Sequence, residues 1–117
     1  MSAASNYILD SEIECERLDR QGLLQGSETI LRHFDCLDGK RILDAGSGSG
    51  WTSRLLAQRF PSAEVVGIDV NPGYVDYARR KAQKLGLSNV HFFVGDLQDM
   101  ELKSGSFDIV WSQFVLY

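Results

Sequence analysis

Residues Arg41 to Trp51 read RILDAGSGSGW, and this stretch narrows the fold more than any other. RILDA is a short apolar run suited to a strand buried on both faces, and three glycines in five residues follow it. Glycines crowded behind a strand let the backbone turn sharply and approach a neighbour or a ligand closely. From Thr52 onward, Leu55, Leu56 and Phe60 mark a helix that Pro61 stops. Strand, glycine loop and helix in that order open a parallel α/β sheet. A carboxylate, Asp44, stands two residues before the first glycine. Alone it reads either as a structural cap or as a ligand contact, just as Asp69 alone reads as a cap of the next helix or as a ligand contact.

The rest of the chain repeats the alternation. EVVGIDV, from Glu64 to Val70, is a second strand rich in β-branched residues. Asn71 and Pro72 supply a helix cap and a proline at the first helical position. Val75, Ala78, Ala82 and Leu85 line one face of that helix, and Gly86 suits its C-terminal cap. VHFFV, from Val90 to Val94, is a third strand, and FDIVW, from Phe107 to Trp111, a fourth. Upstream, Leu23, Leu24, Ile30, Leu31 and Phe34 recur near helical spacing around a break at Gly26–Ser27, before a turn at Asp38–Gly39. The expectation is a parallel sheet covered on both faces, with every strand's C-terminal end on one rim. Asp44, Asp69 and Asp96 all fall at or just past such an end.

Charge and composition exclude several classes. A net charge of −4 disfavours a nucleic-acid or acidic-membrane surface, and the cluster Arg79, Arg80, Lys81 and Lys84 reads as a solvated helix face. Cys15 and Cys36 form neither a metal-ligand pattern nor a disulfide framework, and read as free, half-buried thiols in a reducing compartment. The start of the chain, MSAASNYILDSEIE, is neither a signal peptide nor a membrane span, which points to the cytoplasm. His33 and His91 read as isolated packing or surface residues, Trp51 and Trp111 as packing residues, and Asp108 as the holder of a turn.

Two ligands compete for the glycine loop. A dinucleotide needs glycines at the first, third and sixth places to cradle a pyrophosphate. Here those places are Gly46, Gly48 and Trp51, and Asp44 would bring negative charge toward the phosphates. A ligand with an ammonium and a sulfonium reverses that sign. Two opposite unit charges about 4 Å apart gain roughly 4 kcal/mol at an effective dielectric near 20, before desolvation. Gly46, Gly48 and Gly50 then let the backbone lie against an amino-acid part and a sugar. Asp69 suits a ribose diol, and Asp96 an adenine amino group. S-adenosylmethionine fits this description.

The chain resembles the class I S-adenosylmethionine-dependent methyltransferases, especially their broad small-molecule group. The resemblance rests on LDAGSGSG, VVGIDVNP, FVGDLQDM and FDIVWSQFVLY, in the family's order from Arg41 to the end. YILDSEIECERLDRQ also resembles an N-terminal helix of many members. What the resemblance implies is a Rossmann-like doubly wound sheet, of order 3-2-1-4 here. A helical segment would span residues 1–38 and the cofactor domain residues 39–117, truncated after the fourth strand. Asp44 and Gly46 would meet the methionine end, and Asp69 the ribose. Val70 would pack on the adenine face, with Asp96 and the Leu97 amide bonded to the adenine. Ser112 and Gln113 would border the methionine part, and Tyr7, Arg17 and Gln21 would close over the ligand. No metal is implied.

The acceptor is less legible. WSQF stands where enzymes that methylate adenine or glutamine amides carry an Asn/Asp-Pro-Pro-Tyr/Phe run, which favours a small-molecule acceptor, with no nucleic-acid or membrane partner. No convincing general base is visible, so catalytic residues stay unassigned. A complete member has a sheet of order 3-2-1-4-5-7-6, so the acceptor site is expected elsewhere. The alternative is a non-catalytic module that binds S-adenosylmethionine or a partner. With its outer side bare, the fourth strand is expected to drive self-association.

Overall fold

The computed structural model describes residues 3–25, 37–96 and 106–112, and the side chains of α1 from residue 11 to residue 23. Helix α1 spans Ala3–Gln25, followed by strand β1 (Arg41–Ala45), helix α2 (Trp51–Arg59) and strand β2 (Glu64–Asp69). Helix α3 (Pro72–Lys84) and strands β3 (Val90–Val94) and β4 (Ile109–Trp111) complete the order. The strands form one parallel sheet of order β3-β2-β1-β4, as expected. Ile42 pairs with Val65 and with Ile109, and Val65 with Val90, so the strand ends share one rim.

Alternation along the strands divides the core in two. Ile42, Val65, Val90 and Phe92 face the helices and pack with Leu56 and Ala57 of α2, Phe60 at its C-terminal cap, and Val75, Ala78 and Ala82 of α3. Leu43, Ala45 and Ile68 face the other way, joined by Val66 and Phe107. No helix residue joins that second cluster among the described residues, and Phe93 and Val110 are exposed. Described helices cover the first face; on the second, Leu43, Ala45 and Ile68 are nonetheless buried. Asn89 locks the covered face, donating its amide to the carbonyls of Ala57, Phe60 and Ala63 at 3.1, 3.2 and 2.9 Å.

Two strands are shorter than the sequence implies. β2 ends at Asp69 because that side chain accepts the Asn71 amide, and Asn71 in turn caps α3. β4 begins at Ile109 because Asp108 clamps the start of β1. Its carboxylate accepts the Arg41 amide, and its own amide donates to the Arg41 carbonyl, both at 2.8 Å. Asp108 is thus structural, as read.

At the opposite edge the Asn89 carbonyl faces β2 and accepts from Val65. Alternation turns the Phe92 carbonyl outward, where Arg79 Nε donates to it at 2.8 Å with the guanidinium over the Phe93 ring.

Helix α1 docks on α2 and α3 through a stripe of small and polar residues, Ser11, Cys15, Asp19 and Gly22. Gly73 admits Ser11, since a Cβ there would lie 2.4 Å from the Ser11 hydroxyl oxygen. Cys15 is fully buried rather than half-buried, and burial, with Asp19 and Glu12 adding to it, pushes its thiol up to about 12. Leu23 and Leu85 are exposed rather than packed, because each lies at a helix end beyond the docked face. Ile30, Leu31, His33, Phe34 and Cys36 lie outside the described residues.

Candidate functional site

The glycine loop is shaped by three positive φ angles, 75° at Gly46, 57° at Gly48 and 83° at Gly50. Four of its amides are donated within the protein. Those of Gly46 and Ser47 both reach the Ile68 carbonyl, that of Gly48 reaches Asp69 Oδ2, and that of Gly50 reaches the Ser47 carbonyl, all within 2.9 Å. A pyrophosphate cradle needs such amides free. Gly46 is exposed and Gly48 half-buried at the rim. Gly50 is turned inward: a Cβ there would lie 2.7 Å from the Ala78 Cβ and 2.8 Å from Phe92 Cζ, so packing alone demands glycine.

Asp44 lies beneath this loop, 3% exposed, and accepts the Ser53 hydroxyl at 2.6 Å. Burial raises its pKa to about 6; Ser53 works against the rise and the charge of Asp69 adds to it. Sequence reasoning missed Ser53, whose only signal was a hydroxyl residue in the first turn after the loop. No cation offsets Asp44 among the described residues.

Asp69 closes β2 with one oxygen on the Gly48 amide and the other on the Asn71 amide, each at 2.9 Å. A carboxylate oxygen has two lone-pair sites, so each keeps one beyond the amide it accepts. Val70, next in the chain, is 67% exposed. Asp96 is exposed beyond β3, held near β2 by the Gly95 amide, which donates to the Asp69 carbonyl at 3.0 Å. Ser112 follows Trp111, which pairs with Asp44, so the chain leaves β4 beside the loop. The Ser112 hydroxyl is buried with no hydrogen-bond partner among the described residues. Leu97, Gln113 and the side chain of Tyr7 lie outside the described residues.

Helix α1 roofs the loop: Leu18 Cδ1 lies 3.6 Å from where a Cβ of Gly48 would be. Arg17 is exposed and paired with Glu14 on its own helix, while Gln21 is half-buried. The Trp51 indole packs against Gly22 of α1, as its packing reading anticipated. His91 is exposed beside Glu64. No group of His, Cys, Asp and Glu could hold a metal among the described residues. Nor is any described helix long and apolar enough to cross a membrane.

A parallel 3-2-1-4 sheet whose first strand enters a glycine loop, with acids where β1, β2 and β3 finish, is the architecture of the class I S-adenosylmethionine-dependent methyltransferases. The chain belongs to the methyltransferase domain family, which it matches over residues 42–117. Malonyl-[acyl-carrier protein] O-methyltransferase of Laribacter hongkongensis is 38% identical over 120 residues, covering 97% of this chain and 38% of that protein. Ribosomal RNA small subunit methyltransferase G of Streptococcus pyogenes is 36% identical over 89 residues, covering 74% of this chain and 38% of that protein. Among solved structures, a SAM-dependent methyltransferase from Aquifex aeolicus superposes with a TM-score of 0.72 at 28% identity, covering 85% of this chain and 54% of that one. The chain spans roughly a third of the length of the curated relatives it matches.

Proposed function

We propose that this chain is the cofactor-binding part of a methyltransferase that moves a methyl group from S-adenosylmethionine to a small molecule. The observation that carries the reading is Asp44: a buried carboxylate with no cation to offset it among the described residues, beneath a loop four of whose amides are donated within the protein. Such a site suits a cationic ligand end and repels a phosphate. Asp44 would receive the ammonium, with Gly46, Gly48 and Ser112 bordering the methionine part. Asp69 would take the ribose hydroxyls on its two remaining lone pairs, and Val70 would lie against the adenine. Asp96, the Leu97 amide and Gln113 complete the proposed site.

S-adenosylmethionine supplies the methyl on a sulfonium that leaves as a neutral thioether. The protein's contribution is then alignment and exclusion of water rather than acid catalysis. Asp44 and Asp69 would fix the methionine and ribose parts of the ligand, and α1, through Leu18, covers the glycine loop. A small-molecule acceptor is supported by the WSQF run and the net charge of −4. The ribosomal RNA relative makes RNA the competing acceptor.

Calorimetry with S-adenosylhomocysteine and NAD tests the cofactor. The sulfur ligand should bind more tightly, and the reverse order would overturn the assignment. Label from methyl-tritiated donor, incubated with protein and cell extract, should enter a low-mass, ribonuclease-resistant product. Ribonuclease-sensitive label would overturn the small-molecule acceptor.

A further inference from the structure

The glycine loop is also held from behind, by residues outside the proposed ligand site. Arg54 of α2 keeps its side chain only 5% exposed. Its Nη1 donates to the Ser49 carbonyl, inside the loop, at 2.5 Å. Its Nη2 donates to Asp19 Oδ2 of α1 at 2.8 Å. Tyr77 of α3, itself buried, donates its hydroxyl to the same oxygen at 2.9 Å. One carboxylate oxygen on α1 thus gathers a donor from each of the other two helices, and one of those donors also grips the loop.

We infer that Asp19 and Arg54 form a latch through which helix α1 positions the cofactor loop. Three glycines at positive φ give the loop little intrinsic stiffness, because none of them is restrained by a Cβ. The guanidinium on the Ser49 carbonyl fixes the peptide between Ser49 and Gly50, the unit that carries the Gly50 amide. A buried guanidinium keeps that position only while its counter-charge is present, since an unpaired buried charge is costly. Asp19 supplies it, and Asp19 belongs to α1.

Around the latch, Leu18 lies over Gly48, and Gly22 lets the Trp51 indole press against α1. Docking of α1 and order in the loop are therefore one event, and by reciprocity a ligand on the loop tightens the docking of α1. That last step rests on the proposed cofactor; the latch itself does not. Arg54 and Asp19 are positioning residues, acting on the ligand only through the loop.

The experiment uses Asp19→Asn, Arg54→Met, Arg54→Lys and Tyr77→Phe in the whole chain, with amide hydrogen exchange and calorimetry against S-adenosylhomocysteine. In Asp19→Asn and Arg54→Met, exchange at Gly48 and Gly50 should rise about tenfold or more, while amides of the β1–β2 ladder stay within about twofold. Affinity for S-adenosylhomocysteine should fall about tenfold, and combining the two substitutions should add little beyond Arg54→Met. Arg54→Lys should recover part of the protection, and Tyr77→Phe, which spares the ion pair, should lose the least. If Arg54→Met does not fold, the near-isosteric Asp19→Asn and the mild Tyr77→Phe carry the test. Unchanged loop exchange in folded Asp19→Asn would overturn the latch whether or not the ligand binds. A wild-type protein that prefers NAD while its variants still loosen the loop would overturn the cofactor and leave the latch standing.

Discussion

Replacing Asp44 by Asn should make the ligand-free protein more stable at neutral pH while weakening its hold on the cofactor. A carboxyl whose pKa rises from 3.8 to about 6 on folding binds its proton more tightly in the native state. Its contribution to stability is most favourable below the ordinary carboxylate range, declines as pH rises through it, and levels off above about 6. The full decline is about 3 kcal/mol, because the charged form has lost its water. Asparagine carries no charge and its carbonyl can still accept the Ser53 hydroxyl, but its amide hydrogens need new acceptors at a cost of about 1–2 kcal/mol. The variant should therefore be about 1–2 kcal/mol more stable than wild type near pH 7.5 and less stable near pH 4. Urea unfolding of both proteins across that range checks this, and their difference isolates Asp44 from every other titrating group. Affinity for S-adenosylhomocysteine should fall by about tenfold or more, the loss of roughly one hydrogen bond to a charged group. A stability difference that stays flat across the range would refute the buried, proton-holding carboxylate.

Asp69→Ala should weaken S-adenosylhomocysteine binding by about 1.5–3 kcal/mol. It should also cost about 1–2 kcal/mol of stability, because the Gly48 and Asn71 amides lose their acceptor; calorimetry and urea unfolding read the two separately. Gly50→Ala should destabilise by more than about 2 kcal/mol, since a φ of 83° is strained for alanine and its Cβ would strike Ala78 and Phe92. Wild-type stability in that variant would show that the loop end is less tightly packed than its geometry implies. The 117-residue chain should self-associate at micromolar concentration through β4, which among the described residues has β1 on one side only; light scattering that finds a stable monomer would refute the edge argument.

Sequence patterns resolved what depends on local periodicity. RILDA, EVVGID and VHFFV appear as strands where apolar and β-branched residues run together, and Asn71–Pro72 starts α3 because cap and proline chemistry act within one turn. Asp44 and Asp69 could be singled out because a charge at a strand's end is conspicuous in an apolar run. Long-range partners were not legible. Nothing in the sequence sets Arg54 apart from the other arginines, and only the fold brings Asp19 to it and Tyr77 to the same carboxylate oxygen. The sequence also could not show that Gly50 answers to Phe92, since two helices and a strand separate them along the chain. Nor did the apolar spacing of Leu23 and Leu85 reveal that both would lie past the docked faces of their helices.

The two sides of the sheet are not equivalent, and the difference lies in a single side chain. Arg79 occupies the outward Phe92 carbonyl of β3 and screens it with its own bulk. No described side chain is bonded in this way along β4. Head-to-tail stacking of copies would need both borders, and one of them is guarded. If the 117-residue chain associates through β4, pairing with the β4 of a second copy gives a closed two-fold pair, whereas head-to-tail growth would have to displace Arg79 from the Phe92 carbonyl.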